Sequence, residues 1–289
     1  HLDAPLADPA CIPLYFVAHE AKKHVDNVLS GEGADEFFGG YRIYRESESL
    51  KIFNYVPTIL KKPIKKIGSV LPDGTKGKSF LERGTTPLED RYIGNAKIFD
   101  EQEKRSFLVH FDESLTYRNV TAPLFNQVKE EPPATQMQYI DIHTWLPGDI
   151  LLKASKIAKA NSLTLLMPFI DINVFKAARE LPVSLLIAKR TTKLLLREAA
   201  RGMVPDHVLE REKLGFPVPI CRWLRDELYD WAKTLIIESE TDKYFYKNAI
   251  LKLLDLHASG KKDVGRKLWT ILIFMLWHQI FIEEKYEFI

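Results

Sequence analysis

Cysteine is scarce in this sequence, and no apolar run is long enough to cross a membrane. The two cysteines, Cys11 and Cys221, lie far apart and belong to no C-x-x-C pair, which favours reduced thiols in the cytosol over a disulfide framework. The most apolar run, residues 269–282, is shorter than the roughly 20 residues of a membrane span and contains His278 and Gln279. We therefore expect a cytoplasmic protein with no membrane partner, in which this run forms a buried helix.

A strong charge of either sign is also missing. The formal net charge is +2 and the sequence pI is about 8.3, so neither the positive field of a nucleic-acid-binding protein nor an acidic surface is expected. Four lysines cluster around Pro63, at positions 61, 62, 65 and 66. Because no aromatic residues alternate with them to stack on bases, we interpret the cluster as a solvated surface and expect no nucleic-acid partner.

Helical periodicity recurs along the 289 residues, 46% of which are hydrophobic. The segments with this pattern are residues 12–24, 101–108, 133–146, 149–161, 173–180, 193–202, 205–211, 223–238, 249–257 and 264–284. Asp100 is a predicted cap for the second of them. The basic, proline-marked segment 42–77, with a turn at 72–74, is instead predicted to be a loop or a crossing between subdomains. Residues 28 and 29 form a short apolar strand edge.

A glycine-rich stretch follows this edge directly. Residues 29–41 read Leu-Ser-Gly-Glu-Gly-Ala-Asp-Glu-Phe-Phe-Gly-Gly-Tyr, which is typical of a strand end, a turn and a helix start. Gly31 and Gly33 allow the backbone to come close to a ligand, and residues 34–38 begin a helix whose first amides are free. This local geometry suits a nucleotide.

Three carboxylates lie within five residues of this stretch: Glu32, Asp35 and Glu36. Three carboxylates would repel an anion bound by backbone amides alone, whereas a hard cation such as magnesium would balance their charge against phosphate. The stretch therefore indicates a magnesium–nucleotide site. A glycine turn with solvated acids remains the alternative interpretation. The histidines show no metal-ligand spacing, and we assign none of them a catalytic role.

Residues 30–41 resemble the S-G-E-G-A-D-E-x-F-G-G-Y segment of the asparagine synthetase family, in its ATP-pyrophosphatase half. Three further stretches are similar to the family in the same order, at residues 83–92, 141–171 and 211–219. The resemblance implies an α/β fold of the adenine nucleotide alpha-hydrolase-like type. Since the upstream strands of that fold are missing, we expect a predominantly α-helical chain with only a remnant of the parallel sheet.

Two parts of the family pattern do not occur. The family has an amino-terminal glutaminase domain with a cysteine nucleophile, followed by a phosphate loop S-G-G-x-D-S, whereas this sequence begins at His1 and contains no Ser-Gly-Gly. We expect residues 1–289 to be the carboxy-terminal part of the synthetase domain, either as a fragment or as a truncated paralogue. Alone, it is expected neither to make asparagine nor to hydrolyse glutamine.

The resemblance also implies a chemistry. ATP activates the aspartate carboxylate as an acyl-adenylate, pyrophosphate leaves, and ammonia derived from glutamine attacks the activated carbonyl. Asp35 matches the family position associated with Mg²⁺, and Ser30 and Gly31 match the backbone that lines the adenylate. Glu32 is expected to orient the substrate or ammonia. The alternative is that it is only an acidic residue at the start of a helix. The family also implies a possible homodimer.

Three lysines are predicted to contact the phosphates. Lys213 matches the family position in the 211–219 loop, where a flexible lysine can follow the departing pyrophosphate; without the resemblance it would be read as solvated. Lys153 and Lys156 lie one turn apart on a predicted helix, where they can present two positive charges from one face. A basic helical surface is the alternative for this pair.

Several positions depart from the family pattern. Ser155, Lys159, Thr164 and Leu166 stand where Asp, Met, Glu and Arg are expected, and Ala4 stands where a carboxylate is frequent. The changes are compatible with a noncatalytic, degenerate paralogue or assembly module, or with a related synthetase of the family. They are also compatible with the loss of a buried ion pair, which can be structurally neutral. ATP binding separates a ligase from a noncatalytic remnant.

Overall fold

The computed structural model describes residues 1–71, 75–95, 97–188, 191–212 and 215–286, most of them in helices. The helices are α1 (Cys11–Lys22), α2 (Ala34–Phe37), α3 (Glu46–Ser49), α4 (Thr58–Val70), α5 (Lys78–Thr85), α6 (Leu88–Arg91), α7 (Glu101–Phe107), α8 (Arg118–Gln127), α9 (Pro133–His143), α10 (Leu152–Ala160), α11 (Ile172–Arg179), α12 (Val183–Leu186), α13 (Leu194–Ala199), α14 (Asp206–Leu209), α15 (Ile220–Trp223), α16 (Tyr229–Glu238), α17 (Lys247–Ala258) and α18 (Gly265–Phe281). Short 3₁₀ helices cover Arg42–Arg45, Lys51–Tyr55 and Pro168–Ile170, and a π-helix covers Leu146–Leu151. The helical character predicted from the sequence is confirmed.

The sheet has two strands within the described ranges, β1 (Asn27–Leu29) and β2 (Thr164–Leu166). They run parallel, with Asn27 opposite Thr164 and Leu29 opposite Leu166. This agrees with the predicted remnant of a parallel sheet and with an α/β family. The finer adenine nucleotide alpha-hydrolase-like assignment stays a prediction.

A small apolar core lies on one face of this sheet. Val28 and Leu165 are the middle residues of the two strands, and they pack with Ile157 of α10 and Ala18 of α1. Their strand neighbours point the other way and are exposed, as the alternation of side chains along a strand requires. The sheet is therefore held to the molecule by its inner face.

The largest apolar core lies in the carboxy-terminal bundle, formed by α15 to α18 with α7 against it. Leu268, Leu272 and Met275 repeat along one face of α18 and are fully buried, together with Ile250 and Leu254 of α17. The predicted buried helix over residues 269–282 is thereby confirmed. No helix in the ranges given above is long and apolar enough to span a membrane.

The prediction of a loop over residues 42–77 is wrong. This segment contains α3, two 3₁₀ helices and the 13-residue α4; the predicted turn at 72–74 falls outside the described residues. In α4 the apolar residues lie at positions 59, 60, 63, 64 and 67 on one side, and the lysines lie on the other. This 3.6-residue period favours a helix, and it prevails over the single Pro63 within it.

Two other predicted helices are divided. The segment 149–161 does not begin as an α-helix, because Asp149 lies in the π-helix, which also contains Pro147, and α10 starts only at Leu152. The segment 223–238 is broken between α15 and α16. The predicted cap at Asp100 is confirmed, since Asp100 and Glu103 form a capping box at the start of α7.

Candidate active site

The glycine-rich loop begins where β1 ends. The Ser30 amide donates a hydrogen bond to the Leu166 carbonyl over 2.8 Å, which continues the parallel pairing by one residue. Gly33 then turns the chain with φ of +87°, a conformation that favours glycine, and α2 begins at Ala34. Gly31 is exposed, and a Cβ built on it would meet nothing within 4 Å. The loop therefore lies at the carboxyl end of a parallel strand, where open α/β sheets bind their ligands.

Asp35 is held by a lysine that the sequence reading missed. Lys193 Nζ lies 3.1 Å from Asp35 Oδ1, and Lys193 itself adopts a left-handed backbone conformation with φ of 55°. Gly40 makes this pairing possible, because a Cβ there would lie 1.8 Å from Asp35 Oδ1 and 2.5 Å from Lys193 Cε. The glycine pair closing the motif is thus explained at Gly40 by the close approach of this ion pair.

The described residues do not assemble a magnesium site. No group of three or more histidine, cysteine, aspartate or glutamate side chains in those ranges is placed to hold a metal ion, and Asp35 has an ammonium group against its carboxylate. Mg²⁺ bound with a nucleotide takes only one or two carboxylates from the protein and completes its coordination with phosphate and water oxygens, so a single carboxylate such as Asp35 is compatible with it. The metal role of Asp35 stays a prediction from the resemblance.

Glu36 is buried, so the interpretation of the motif as a turn with solvated acids does not hold for it. Tyr41 Oη donates a 2.7 Å hydrogen bond to its carboxylate, and Trp145 Nε1 donates to Tyr41 Oη over 3.2 Å. Gln138 Nε2 donates to the Glu36 carbonyl over 2.7 Å. Burial, followed by the charge of Glu36, raises the pKa of the Tyr41 hydroxyl. Glu36 thus ties the loop to α9 and the π-helix.

Glu32 is half-buried beside the loop. Burial raises the pKa of its carboxyl group, the positive charge of Lys153 opposes this rise, and the charges of Glu36 and Asp35 add to it. A carboxyl group with a raised pKa is suited to accept a proton from a substrate. The catalytic role of Glu32 stays a prediction, and the structure gives it a suitable electrostatic setting.

Lys153 and Lys156 are placed differently. Lys153 is buried and donates to two carboxylates, Asp8 and Asp149, the latter over 2.9 Å, while its Nζ lies 5.8 Å from the centre of the Trp145 ring. Lys156 forms an exposed ion pair with Asp3. The two lysines therefore meet separate acids and do not present a free pair of charges on one face. Their phosphate-binding role stays a prediction.

The cluster of Asp8, Lys153 and Asp149 is tightly coupled. Burial lowers the pKa of Lys153, but hydrogen bonds and charge from the two acids outweigh it and leave that pKa raised. Burial also raises the pKa of Asp149 to about 6. Neither acid was singled out from the sequence, although Asp149 and Lys153 have the four-residue spacing of a helical ion pair.

A second buried carboxylate, Asp141, lies behind the loop. It accepts hydrogen bonds of 2.5 Å from Tyr44 Oη and Tyr92 Oη and of 2.9 Å from Asn95 Nδ2. Burial raises the pKa of Asp141 to about 6, the tyrosine hydroxyls lower it, and the charge of Glu36 raises it. No short motif marks this cluster in the sequence, because its members come from three separate segments.

The remaining predicted positions are Lys213 and the five departures from the family pattern. Lys213 lies outside the described residues. Thr164 and Leu166 are exposed on β2, so the departure from the family there is not the loss of a buried ion pair. Ser155 Oγ donates to the Leu151 carbonyl over 2.7 Å, within the helix. Lys159 is exposed and Ala4 is half-buried.

Comparison with known proteins identifies relatives along nearly the whole chain. The family model described as asparagine synthase matches residues 1–279. The chain is 56% identical to asparagine synthetase [glutamine-hydrolyzing] 1 of Bacillus subtilis, over 99% of this chain and 45% of that protein. It is 51% identical to a putative asparagine synthetase [glutamine-hydrolyzing] of Mycobacterium tuberculosis, over 99% of this chain and 44% of that protein.

A more distant relative, asparagine synthetase [glutamine-hydrolyzing] 3 of Bacillus subtilis, is 25% identical over 84% of this chain and 34% of that protein. The chain therefore spans less than half the length of these curated relatives. The match of the family model to residues 1–279, with the loop of residues 30–41 at the end of a parallel strand, shows that this chain belongs to the asparagine synthase family.

Proposed function

We propose that this chain is the synthetase part of an ATP-dependent amide-forming ligase that converts aspartate to asparagine. In the first step an aspartate carboxylate oxygen attacks the α-phosphorus of ATP and pyrophosphate leaves. In the second, ammonia attacks the carbonyl carbon of the aspartyl-adenylate, loses a proton, and AMP leaves. The observation that carries the proposal is the family loop of residues 30–41 at the carboxyl end of β1.

The chain's own groups have definite tasks in this reaction. The backbone of Ser30 and Gly31 lines the adenylate, because Gly31 is exposed and leaves room for close approach. Glu32 accepts the proton that ammonia loses, since burial raises the pKa of its carboxyl group. Glu36 and Tyr41 hold the loop in place through their 2.7 Å hydrogen bond.

The two helical lysines must exchange partners to bind phosphate. Lys156 leaves the exposed carboxylate of Asp3, which costs little because surface ion pairs contribute about 0–1 kcal/mol. Lys153 is buried and paired with two acids, so it serves phosphate only if it leaves both carboxylates. Of the two, Lys156 is the readier phosphate ligand.

Magnesium, the homodimer and the glutamine-derived ammonia enter this proposal only through the family. We assign no step to the metal, because the described residues do not form a site for it. A noncatalytic remnant is the second candidate function, favoured by the pairing of Asp35 with Lys193 and by the neutral residues at positions 155, 164 and 166. We propose that the isolated chain does not make asparagine, whichever candidate holds.

Lys213→Ala tests the ligase proposal in a protein that is extended to contain the missing parts of the synthetase. This protein joins the upstream half of a relative to the chain, with Asp, Glu and Arg restored at positions 155, 164 and 166. Negative charge shifts onto the leaving pyrophosphate in the transition state, so a lysine placed there stabilises that state beyond bound ATP. We expect turnover to fall on the order of a hundredfold, about 3 kcal/mol, with little change in ATP affinity.

The measurement is steady-state pyrophosphate release at varied ATP, beside calorimetric ATP affinity. Lys233→Ala, at an exposed lysine of α16, is the matched control and should leave both quantities unchanged. Near-normal turnover of Lys213→Ala would remove the proposed role. No aspartate-dependent pyrophosphate release in the extended parent would favour the noncatalytic candidate.

A further inference from the structure

A cavity of about 360 Å³ lies between the amino-terminal segment and the carboxy-terminal bundle. Its walls come from five places: residues 6–9, Ile93 and Ile98, the stretch from Thr144 to Asp149, Ile220 at the start of α15, and the first turns of α18. The volume falls in the range of about 300–1,000 Å³ that is typical of small-molecule sites. Neither the glycine-rich loop nor Lys153 lines it, although the two acids paired with Lys153 do, so the cavity adjoins the proposed adenylate site without including the loop.

One part of the cavity wall carries an excess of negative charge. Asp8 and Asp149 both line it, and they share the single ammonium group of Lys153. The face of Trp145 lines the same region, and its ring already lies 5.8 Å from Lys153 Nζ. One buried carboxylate, one half-buried carboxylate and an indole ring are groups that bind an organic ammonium ion.

Another part of the wall carries an unpaired positive charge. Arg266 lines the cavity from the first turn of α18, and in the described part of the chain no carboxylate lies within ion-pair distance of it. Arginine binds carboxylates through its planar fork of donors. The acids and the arginine thus come from different elements that face one cavity.

The remaining wall is largely apolar; the hydroxyl groups of Thr144 and Thr270 also line it, and each already donates to a backbone carbonyl four residues earlier. Ile93, Ile98 and Ile220 line it together with Leu6 and Trp269. A charged or strongly polar side chain of a ligand would lose its hydration there without a partner, whereas an aliphatic one would gain from burial. This composition disfavours aspartate as the occupant.

We propose that this cavity binds an α-amino acid with an aliphatic side chain, with its ammonium group on Asp8 and Asp149, its carboxylate on Arg266, and its side chain on the isoleucines. The inference goes beyond the proposed ligase reaction and does not depend on it. The proposed occupant is neither substrate nor product of that reaction.

Titration calorimetry of the chain with L-leucine tests the inference without any variant. We expect saturable binding at millimolar or lower concentration. Two analogues each lack one charged group: 3-methylbutylamine has no carboxylate, and 4-methylpentanoate has no ammonium group. Each should bind about tenfold or more weakly than leucine, and L-aspartate should not bind in the same range. Absence of leucine binding, or equal binding of aspartate, would overturn the proposal.

Variants then assign the charged contact. Arg266→Gln should lower leucine affinity about tenfold while leaving 3-methylbutylamine affinity unchanged, because only leucine has a carboxylate. Arg225→Gln, at an exposed arginine that does not line the cavity, is the matched control and should change neither affinity. Equal losses in both variants, or an equal loss for leucine and the amine, would contradict the assignment. Since no ATP is present, failure here leaves the ligase proposal untouched.

Discussion

The carboxy-terminal bundle and the region around the glycine-rich loop are built on different principles. The bundle buries a continuous set of aliphatic and aromatic side chains along α16, α17 and α18. The loop region has three smaller apolar clusters, and it buries charged groups between them, among them Glu36, Asp141, Asp149 and Lys153. The bundle interior is mainly apolar, with His257, His278 and Gln279 among its buried polar residues, whereas the loop region buries carboxylates and a lysine in polar networks.

This difference indicates which region holds the functional groups. Apolar burial contributes about 25 cal/mol per Å² and has no directional requirement, so the bundle needs only the right size and pattern of side chains. A buried charge is costly unless it is paired and hydrogen-bonded. A protein retains such groups where they hold a site in shape, and here they surround the loop of residues 30–41.

Removal of the buried lysine is expected to give the largest effect. Lys153→Met leaves Asp8 and Asp149 in the interior without their common partner, and loss of one partner of a buried ion pair costs about 3–5 kcal/mol. We expect this loss in the free energy of unfolding at pH 8, measured by urea denaturation. The loss should be smaller at pH 5, because burial raises the pKa of Asp149 to about 6 and its carboxyl group is then largely protonated.

Lys156→Met, one turn away, is the matched control. Its ion pair with Asp3 is exposed, so we expect a change of about 0–1 kcal/mol. Equal effects of the two substitutions would show that the burial of the Lys153 cluster is not what distinguishes it.

The bundle is tested by a core truncation. Leu272→Ala removes a fully buried side chain of α18, and Leu→Ala changes in cores cost about 2–5 kcal/mol because a cavity remains. In contrast to Lys153→Met, this loss should not depend on pH between 5 and 8. Leu115→Ala, at a leucine that is 68% exposed, should cost under about 0.5 kcal/mol. A pH-dependent Leu272→Ala loss would mean that the two regions do not differ as described.

The bundle was well predicted from sequence, and this follows from its physics. The 3.6-residue period of residues 264–284 needs only local information, and it gave α18 (Gly265–Phe281) within a few residues. The same period runs through residues 58–70, but Pro63 and the lysines obscured it, and α4 was missed. Proline often ends a helix, but whether α4 continues through Pro63 depends on its packing against α5, where Gly68 is buried.

The candidate site was predicted only in part. The motif at residues 30–41 was found because its members are contiguous, and its strand, turn and helix are as expected. Its partners were missed, because Lys193 and Asp8 approach the site from distant parts of the chain. A single sequence does not show which distant charges meet. The sequence shows the residue types and their spacing, whereas the tertiary structure decides which charged residues pair.

The Asp141 cluster offers a pH-dependent test of smaller size. Burial raises the pKa of Asp141 to about 6, above the ordinary 3.8, so folding favours its protonated form. Its contribution to stability is therefore full below pH 4 and is lost as the pH rises through about 6. Tyr44→Phe removes a donor that stabilises the ionised carboxylate. We expect a loss of about 1.5–3 kcal/mol at pH 8 and about 0.5–1.5 kcal/mol at pH 5.

Urea denaturation at the two pH values checks this difference. Tyr139→Phe is the control, because its hydroxyl donates to an exposed Gln127 side chain; it should cost under about 0.5 kcal/mol at both values. If Tyr44→Phe cost more at pH 5 than at pH 8, the Tyr44 hydroxyl would stabilise the protonated form of Asp141 and not the ionised one, contrary to this assignment.

The smallest expected effect is at the exposed face of the sheet. Thr164 and Leu166 lie two residues apart on β2 and point to the same, outer side. Thr164→Glu with Leu166→Arg restores the family residues as an exposed ion pair, which contributes about 0–1 kcal/mol, so urea denaturation should detect little change. The reversed pair, Thr164→Arg with Leu166→Glu, carries the same charges and should have the same stability.

The calorimetric ATP affinity of the extended chain then shows whether these two positions affect the nucleotide site or only the stability of the sheet. If the family order raises ATP affinity and the reversed order does not, these positions act on the nucleotide site through the orientation of their charges. If both pairs destabilise the protein by more than about 2 kcal/mol, beyond the range for exposed ion pairs, this face is covered in solution, and the contrast drawn between the buried Lys153 cluster and the exposed strand face fails.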